Sequence, residues 1–261
     1  MDSKGIIDIE LWRLGAAYLF VIILLLIVKW RGISRERRII IATVRMTLQL
    51  VLAGYVLTYI FDNPHPLLSI GFLSLMEILA IRTIFKQLDR KLNKKIKLAI
   101  VISMVVGPLA ALLYFNGVVI HFQPWYEPRY FIPIAGMIIG NAMTGITLGM
   151  KTLLEGLTNE RDRIEGALML GATPSKAVKR YTDRAFDSAV LPTLNNMLGM
   201  GIIFLPGMMT GQILAGISPM VAIEYQIAIL LGILGSVSLA VILFILLAYR
   251  VFFTKEAQLD I

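Results

Sequence analysis

The sequence predicts an all-α, polytopic membrane protein of about seven membrane-spanning helices, with its N-terminus outside and its C-terminus inside. Three observations predict it. Hydrophobic residues make up 57% of the 261 residues and charged ones 16%, against about 45–50% apolar and about 25% charged in soluble chains. Runs almost free of charge recur along the chain, and about 20 such residues span ~30 Å of hydrocarbon. Lysine and arginine gather in alternate loops, as they do on the cytoplasmic side of membrane proteins. Mean hydropathy is +0.78. A multi-pass protein of the cell membrane surrounded by lipid, built as one domain over 1–261, accounts for all of this.

Two classes of function are excluded early. With no cysteine, disulfides, thiol catalysis and cysteine-based metal sites are absent. The net charge of +8 is read as inside-facing loops rather than a nucleic-acid surface.

The first span is expected at 10–29. MDSKGIIDIE before it lacks the basic start and small-residue cleavage site of a secretory signal, so the span is read as retained. The second, 39–60, carries Arg45 and Gln49, one turn apart on a shared face. The third, 67–85, carries Glu77 about ten residues in, ~15 Å deep at about 1.5 Å per residue. An ionisable group at that depth is a functional candidate. Glu77 could bind a metal cation, take up a proton, or pair with Arg45. Arg45 could instead snorkel to the inner interface.

The fourth span is expected at 98–118 and the fifth at 131–150. In the fifth, Asn141 and Thr144 lie among Gly136, Gly140, Gly145 and Gly149. Small residues at this spacing let helices approach closely, and the two polar groups either assist that packing or line a pathway. The sixth, 190–206, opens near Leu191-Pro192, where proline is expected to interrupt the helix. Asn195 and Asn196 would cap, pack or face the path. Met197, Met200, Met208, Met209 and Met220 follow. Thioethers are adaptable packing groups and also ligands for soft ions. Thr210 and Gln212 are polar in the same region. Pro206-Gly207 and Gly211 are expected to break regular helix and give a re-entrant or gating element. The seventh span is expected at 227–250.

Charge sets the orientation. All of the 25 lysines and arginines except Lys4, Arg13, Arg45 and Arg129 follow the odd-numbered spans. The alternate loops FDNPHP and HFQPWYEPRY carry His65 and His121, read as solvated or as exit-side contacts. Trp125, Tyr126 and Tyr130 suit an outer aromatic belt.

The longest inside segment, about 151–189, contains IEGALMLGATPSKAVKRYTDRAF. Ile164 and Leu168 among charged neighbours suit an amphipathic helix. Gly171 can end it in the left-handed conformation. Thr173-Pro174 looks like an N-cap followed by proline at the first helical position. The object is a helical elbow in water, either a plain solvated loop or a docking element.

Glu165, Ala167 and Gly171, with Leu191-Pro192 downstream, resemble the "EAA" loop of ABC-transporter permeases. Gly166 stands where that signature has its first alanine. The resemblance implies docking on an ATPase through Glu165, Ala167, Leu168, Gly171, Ala172, Thr173 and Pro174. More widely, GMIIGNAMTGITLGM, LGATPSKA, LPTLNNM, LPGMMTGQILAGISP and, less specifically, MEILAIRT resemble the FetB iron-export permeases and the related plant aluminium-tolerance permeases. That implies a permease, not itself an enzyme, exporting metal ions with iron foremost. A separate cytoplasmic ABC ATPase would bind ATP and Mg, and two copies of each subunit would assemble. GITLGMKT is not a phosphate-binding loop, because Met150 stands where glycine must precede the lysine. An importer of the same superfamily is the near alternative. A seven-helix receptor is the distant one, and a retinal type is disfavoured because the seventh span has no lysine.

Overall fold

The computed structural model describes residues 9–88, 92–254 and 258–259. Every regular element among them is helical. The first span is two short helices, α1 (Leu11–Ala17) and α2 (Leu19–Trp30), broken at Tyr18. Then come α3 (Glu36–Asp62), α4 (Pro66–Gln87) and α5 (Lys94–Tyr114), the last extended by a π-turn over Phe115–Ile120. The chain continues through α6 (Pro128–Asn159), α7 (Arg161–Met169), α8 (Pro174–Gly199), α9 (Gly207–Leu214) and α10 (Pro219–Ala248), ending in a 3-10 turn over Tyr249–Phe252. Six of these helical segments are long and apolar enough to cross a membrane. This is a multi-pass membrane protein.

Contacts between helix ends sort the bundle into two ends. Ser69 Oγ donates to the Tyr126 carbonyl at 2.9 Å, and the rings of Tyr130 and Tyr225 stack at 6.5 Å. These join the starts of α4, α6 and α10 at one end. At the other, Lys97 Nζ lies 5.9 Å from the Phe85 ring, and Arg161 Nη2 donates to the Leu259 carbonyl at 3.4 Å. The grouping matches the alternation read from charge.

The core lies between α5, α6, α8 and α10. Close approach there depends on missing side chains. A Cβ on Gly107 would sit 2.7 Å from Ala240 Cβ, and one on Gly145 would sit 2.8 Å from Val237 Cγ1 and 3.4 Å from the Ala189 carbonyl. The glycine-rich face of the fifth span is therefore a packing face at Gly145. By contrast, α1 to α3 are peripheral. Among their described residues only Val28 and Ile60 are buried.

Three expectations are corrected. First, the fifth span does not end at 150. α6 runs on to Asn159 because Leu153, Leu154 and Leu157 continue its buried stripe, giving a helix of ~48 Å, longer than the hydrocarbon it crosses. Second, α8 passes through Pro192 without stopping. Ala185, Ala189 and Thr193 are buried on one face, and that packing holds the helix against the missing N–H. The expected sixth span is thus the apolar end of a longer helix followed by a non-helical turn at 201–206. Third, Gly211 lies inside α9 rather than breaking it. The breaks fall at Pro206, which precedes α9, and at Gly216, with φ +88°.

Candidate coupling elbow and membrane cavities

The elbow is built by local chemistry. Ile164, 1% exposed, anchors α7 to the core. Arg161 pairs with Glu165 at 2.7 Å and Arg163 with Glu160 at 2.8 Å. Glu165 therefore braces its own helix. Gly171 adopts φ +89°, where a Cβ would clash with backbone. The Gly171 N–H donates to the Leu168 carbonyl at 2.9 Å and the Ala172 N–H to the Ala167 carbonyl at 3.0 Å. That crossed pair is the Schellman closure of a helix end. The chain then turns at Thr173 into Pro174, the first residue of α8. Thr173 takes the N-cap position, but its hydroxyl makes no cap bond and lies 3.5 Å from Ser175 Oγ.

Sequence reading missed the tip. Met169 is 85% exposed and Leu170 91%, an apolar pair at the apex of a charged turn. The signal was present in LMLG, where Met169 and Leu170 carry the apolar run past Leu168 to the glycine turn. Beside the tip, a groove of about 360 Å³ is lined by Arg161, Glu165, Leu168, Met169, Ala172 and the C-terminal Gln258 and Leu259.

Glu77 lines a cavity of about 450 Å³ between α4, α5 and α6. Its Oε2 is buried with no hydrogen-bond partner. Arg45 does not supply one. It is exposed on α3, whose Thr47 faces α2 through the Tyr18 hydroxyl at 2.6 Å. Two residues along a helix is a turn of about 200°, so Arg45 points away from that contact. Gln49 is exposed as well. The expected ion pair between Arg45 and Glu77 is absent from the described structure.

Asn141 and Thr144 bond to their own helix, through the Met137 carbonyl at 2.8 Å and the Gly140 carbonyl at 3.1 Å. Neither lines the Glu77 cavity. Asn195 and Asn196 are exposed within α8 rather than at a helix start. Met209 is buried and, with Met197, Met200 and Leu205, lines a second cavity of about 430 Å³ against α10. Gln226 joins that lining, with a buried Oε1 that has no partner. Sequence reading overlooked it, although it is an isolated amide entering the longest apolar run. Met208 packs on the core from α9, and Gln212 Oε1 is buried and unpartnered. His65 Nδ1 caps α4 by accepting from the Leu67 N–H at 3.2 Å, and His121 bonds the Gly117 carbonyl at 3.2 Å. No group of three or more histidine or acidic side chains placed to hold a metal occurs among the described residues.

Comparison with known proteins assigns the family. An uncharacterised protein family, UPF0014, matches residues 11–253. The chain is 34% identical to the UPF0014 membrane protein YjkA of Bacillus subtilis over 94% of its length and 96% of that protein. It is 32% identical to the probable iron export permease protein FetB of Escherichia coli, over 94% of this chain and 93% of that one. It is also 32% identical to ALUMINUM SENSITIVE 3 of Arabidopsis thaliana, over 94% and 88%. No solved structure matches. With nearly the whole chain matched, and with the iron-export and aluminium-related proteins among its relatives, the protein belongs to the UPF0014 family of membrane permeases.

Proposed function

We propose that this chain is the membrane subunit of an ABC exporter of metal ions, iron foremost, driven by a separate cytoplasmic ATPase that binds ATP and Mg. Two copies of the chain and two ATPases form the working unit, with the N-terminus outside and the C-terminus inside. The observation that carries this reading is the elbow. A rigid, glycine-closed turn presents Met169 and Leu170 to water, which a solvated loop has no need to do. An interface needs such an apolar anchor ringed by charge.

Iron is supported by the relative in Escherichia coli, a probable iron export permease. Transport would be alternating access, with ATP-driven closure stabilising one of two states. α6 and α8 run from the elbow deep into the bundle and would carry the movement. The test is ATPase activity of the chain reconstituted with its candidate ATPase across a panel of metal ions. Stimulation by iron above other ions supports the reading, and an ATPase indifferent to the chain contradicts it.

A further inference from the structure

The Glu77 cavity is built for a different kind of ligand than a bare metal. Its walls are aliphatic: Leu73 and Ile81 from α4, Val101 and Leu112 from α5, Ile138 and Ile139 from α6. Beyond Glu77, its one other polar side chain is Ser74, whose hydroxyl already donates to the Ile70 carbonyl at 2.9 Å. The mouth is lateral. Ile78 and Leu109, on α4 and α5, are 49% and 42% exposed at its rim. Glu77 lies ~16 Å along α4 from Pro66, at about 1.5 Å per residue. The opening therefore faces the acyl region of a bilayer and neither loop end.

Three classes of occupant can be weighed. A hard metal ion such as calcium wants about six to eight oxygen ligands, and this cavity offers one carboxylate against hydrocarbon. A neutral apolar molecule would fill the walls and leave Glu77 to take up a proton, so it would gain nothing from the acid. A monovalent organic cation with an apolar body satisfies both the walls and the carboxylate. Ligand cavities commonly join an apolar lining to a few placed polar groups in this way.

We propose that the Glu77 cavity binds a hydrophobic organic monocation, of the alkylammonium or arylphosphonium type, entering sideways from the bilayer. This goes beyond the metal-export reading and does not depend on the ATPase. Glu77 supplies the charge and α4, α5 and α6 supply the apolar cup.

The experiment is equilibrium binding of radiolabelled tetraphenylphosphonium to the full chain in lipid nanodiscs. The wild type binds saturably. Glu77→Gln weakens binding by roughly tenfold to a hundredfold. Val105→Trp, which fills the rim and leaves the carboxylate in place, also lowers it. Both variants are checked for an unchanged elution profile and for retained ATPase association, so that unfolding is recognised. Iron and manganese salts do not displace the probe. Undiminished binding to Glu77→Gln would overturn the proposal, as would displacement by the metal salts or no saturable binding to the wild type. A cross-link between copies through Arg45→Cys and Glu77→Cys would also overturn it, by giving the cavity to a second copy. Failure of the wild type to associate with the ATPase, with probe binding intact, would defeat the exporter reading alone.

Discussion

Gly156 of α6 receives the ring of Tyr181 of α8 so closely that a Cβ at position 156 would sit 2.8 Å from Tyr181 Cδ1. The contact lies at the base of the elbow, between the antiparallel α6 and α8. It makes the elbow continuous with the bundle. Because α7 joins the ends of these two packed helices, movement of α7 is expected to move α6 and α8 together.

Gly156→Val should separate coupling from assembly. The added side chain pushes the buried Tyr181 ring outward, and overpacking of this kind costs about 1–3 kcal/mol. The complex should still form, with ATP hydrolysis less responsive to transported ion and a lower melting temperature. Combining it with Tyr181→Ala should restore part of the loss, which a double-mutant cycle measures.

Charge at the tip should abolish docking without unfolding the chain. Met169→Glu with Leu170→Glu removes an apolar anchor that touches little in the isolated subunit. Hot-spot losses of about 2 kcal/mol or more per anchor imply an affinity for the ATPase lower by roughly a hundredfold or more. Thermal stability should stay within about 0.5 kcal/mol of wild type, as for other surface changes. Pull-down and thermal melting read the two effects separately.

At Gly171 the conformation is the issue. Its φ of +89° disfavours any side chain, so Gly171→Val should cost about 1–3 kcal/mol locally. Gly171→Asn should cost less, because asparagine visits the left-handed region more readily. ATPase stimulation should fall in the order glycine, asparagine, valine.

Gly107→Val tests the core. The new side chain would meet the Ala240 backbone, its nitrogen 2.9 Å from the Cβ. α5 and α10 would have to part along their length. Reduced yield and a lower melting temperature should follow. Gly235→Val on α10, where a Cβ would meet no other part of the protein within 4 Å beyond its own helix backbone, should be tolerated.

Much of this was legible in the sequence. Long apolar runs gave the membrane class, and charge alternation anticipated which helix ends meet, as Ser69 with Tyr126 shows. Gly171 and Pro174 announced the elbow because each has a backbone requirement that few residues share. Tertiary effects stayed hidden. Pro192 reads as a helix breaker, and only the packing of α8 on α6 overrides it. Arg45 and Glu77 both fall within apolar spans, but position along a span never reports which helices are neighbours, so their lack of contact was invisible. Gln226 was one amide in a long apolar helix, and its cavity forms only when α8 and α9 fold back on α10.

The central claim is that a motor outside the membrane grips the elbow at Leu170. The chain has no cysteine, so Leu170→Cys gives a single reactive site. A short thiol-to-amine cross-linker applied to membranes co-expressing the candidate ATPase, with and without ATP, tests it most directly. The account predicts a cross-linked pair of the two subunits whose yield changes with nucleotide, and a thiol protected from reagents added outside the cell. Labelling of that thiol from outside intact cells, or an accessible inside thiol that never joins the ATPase, would contradict it.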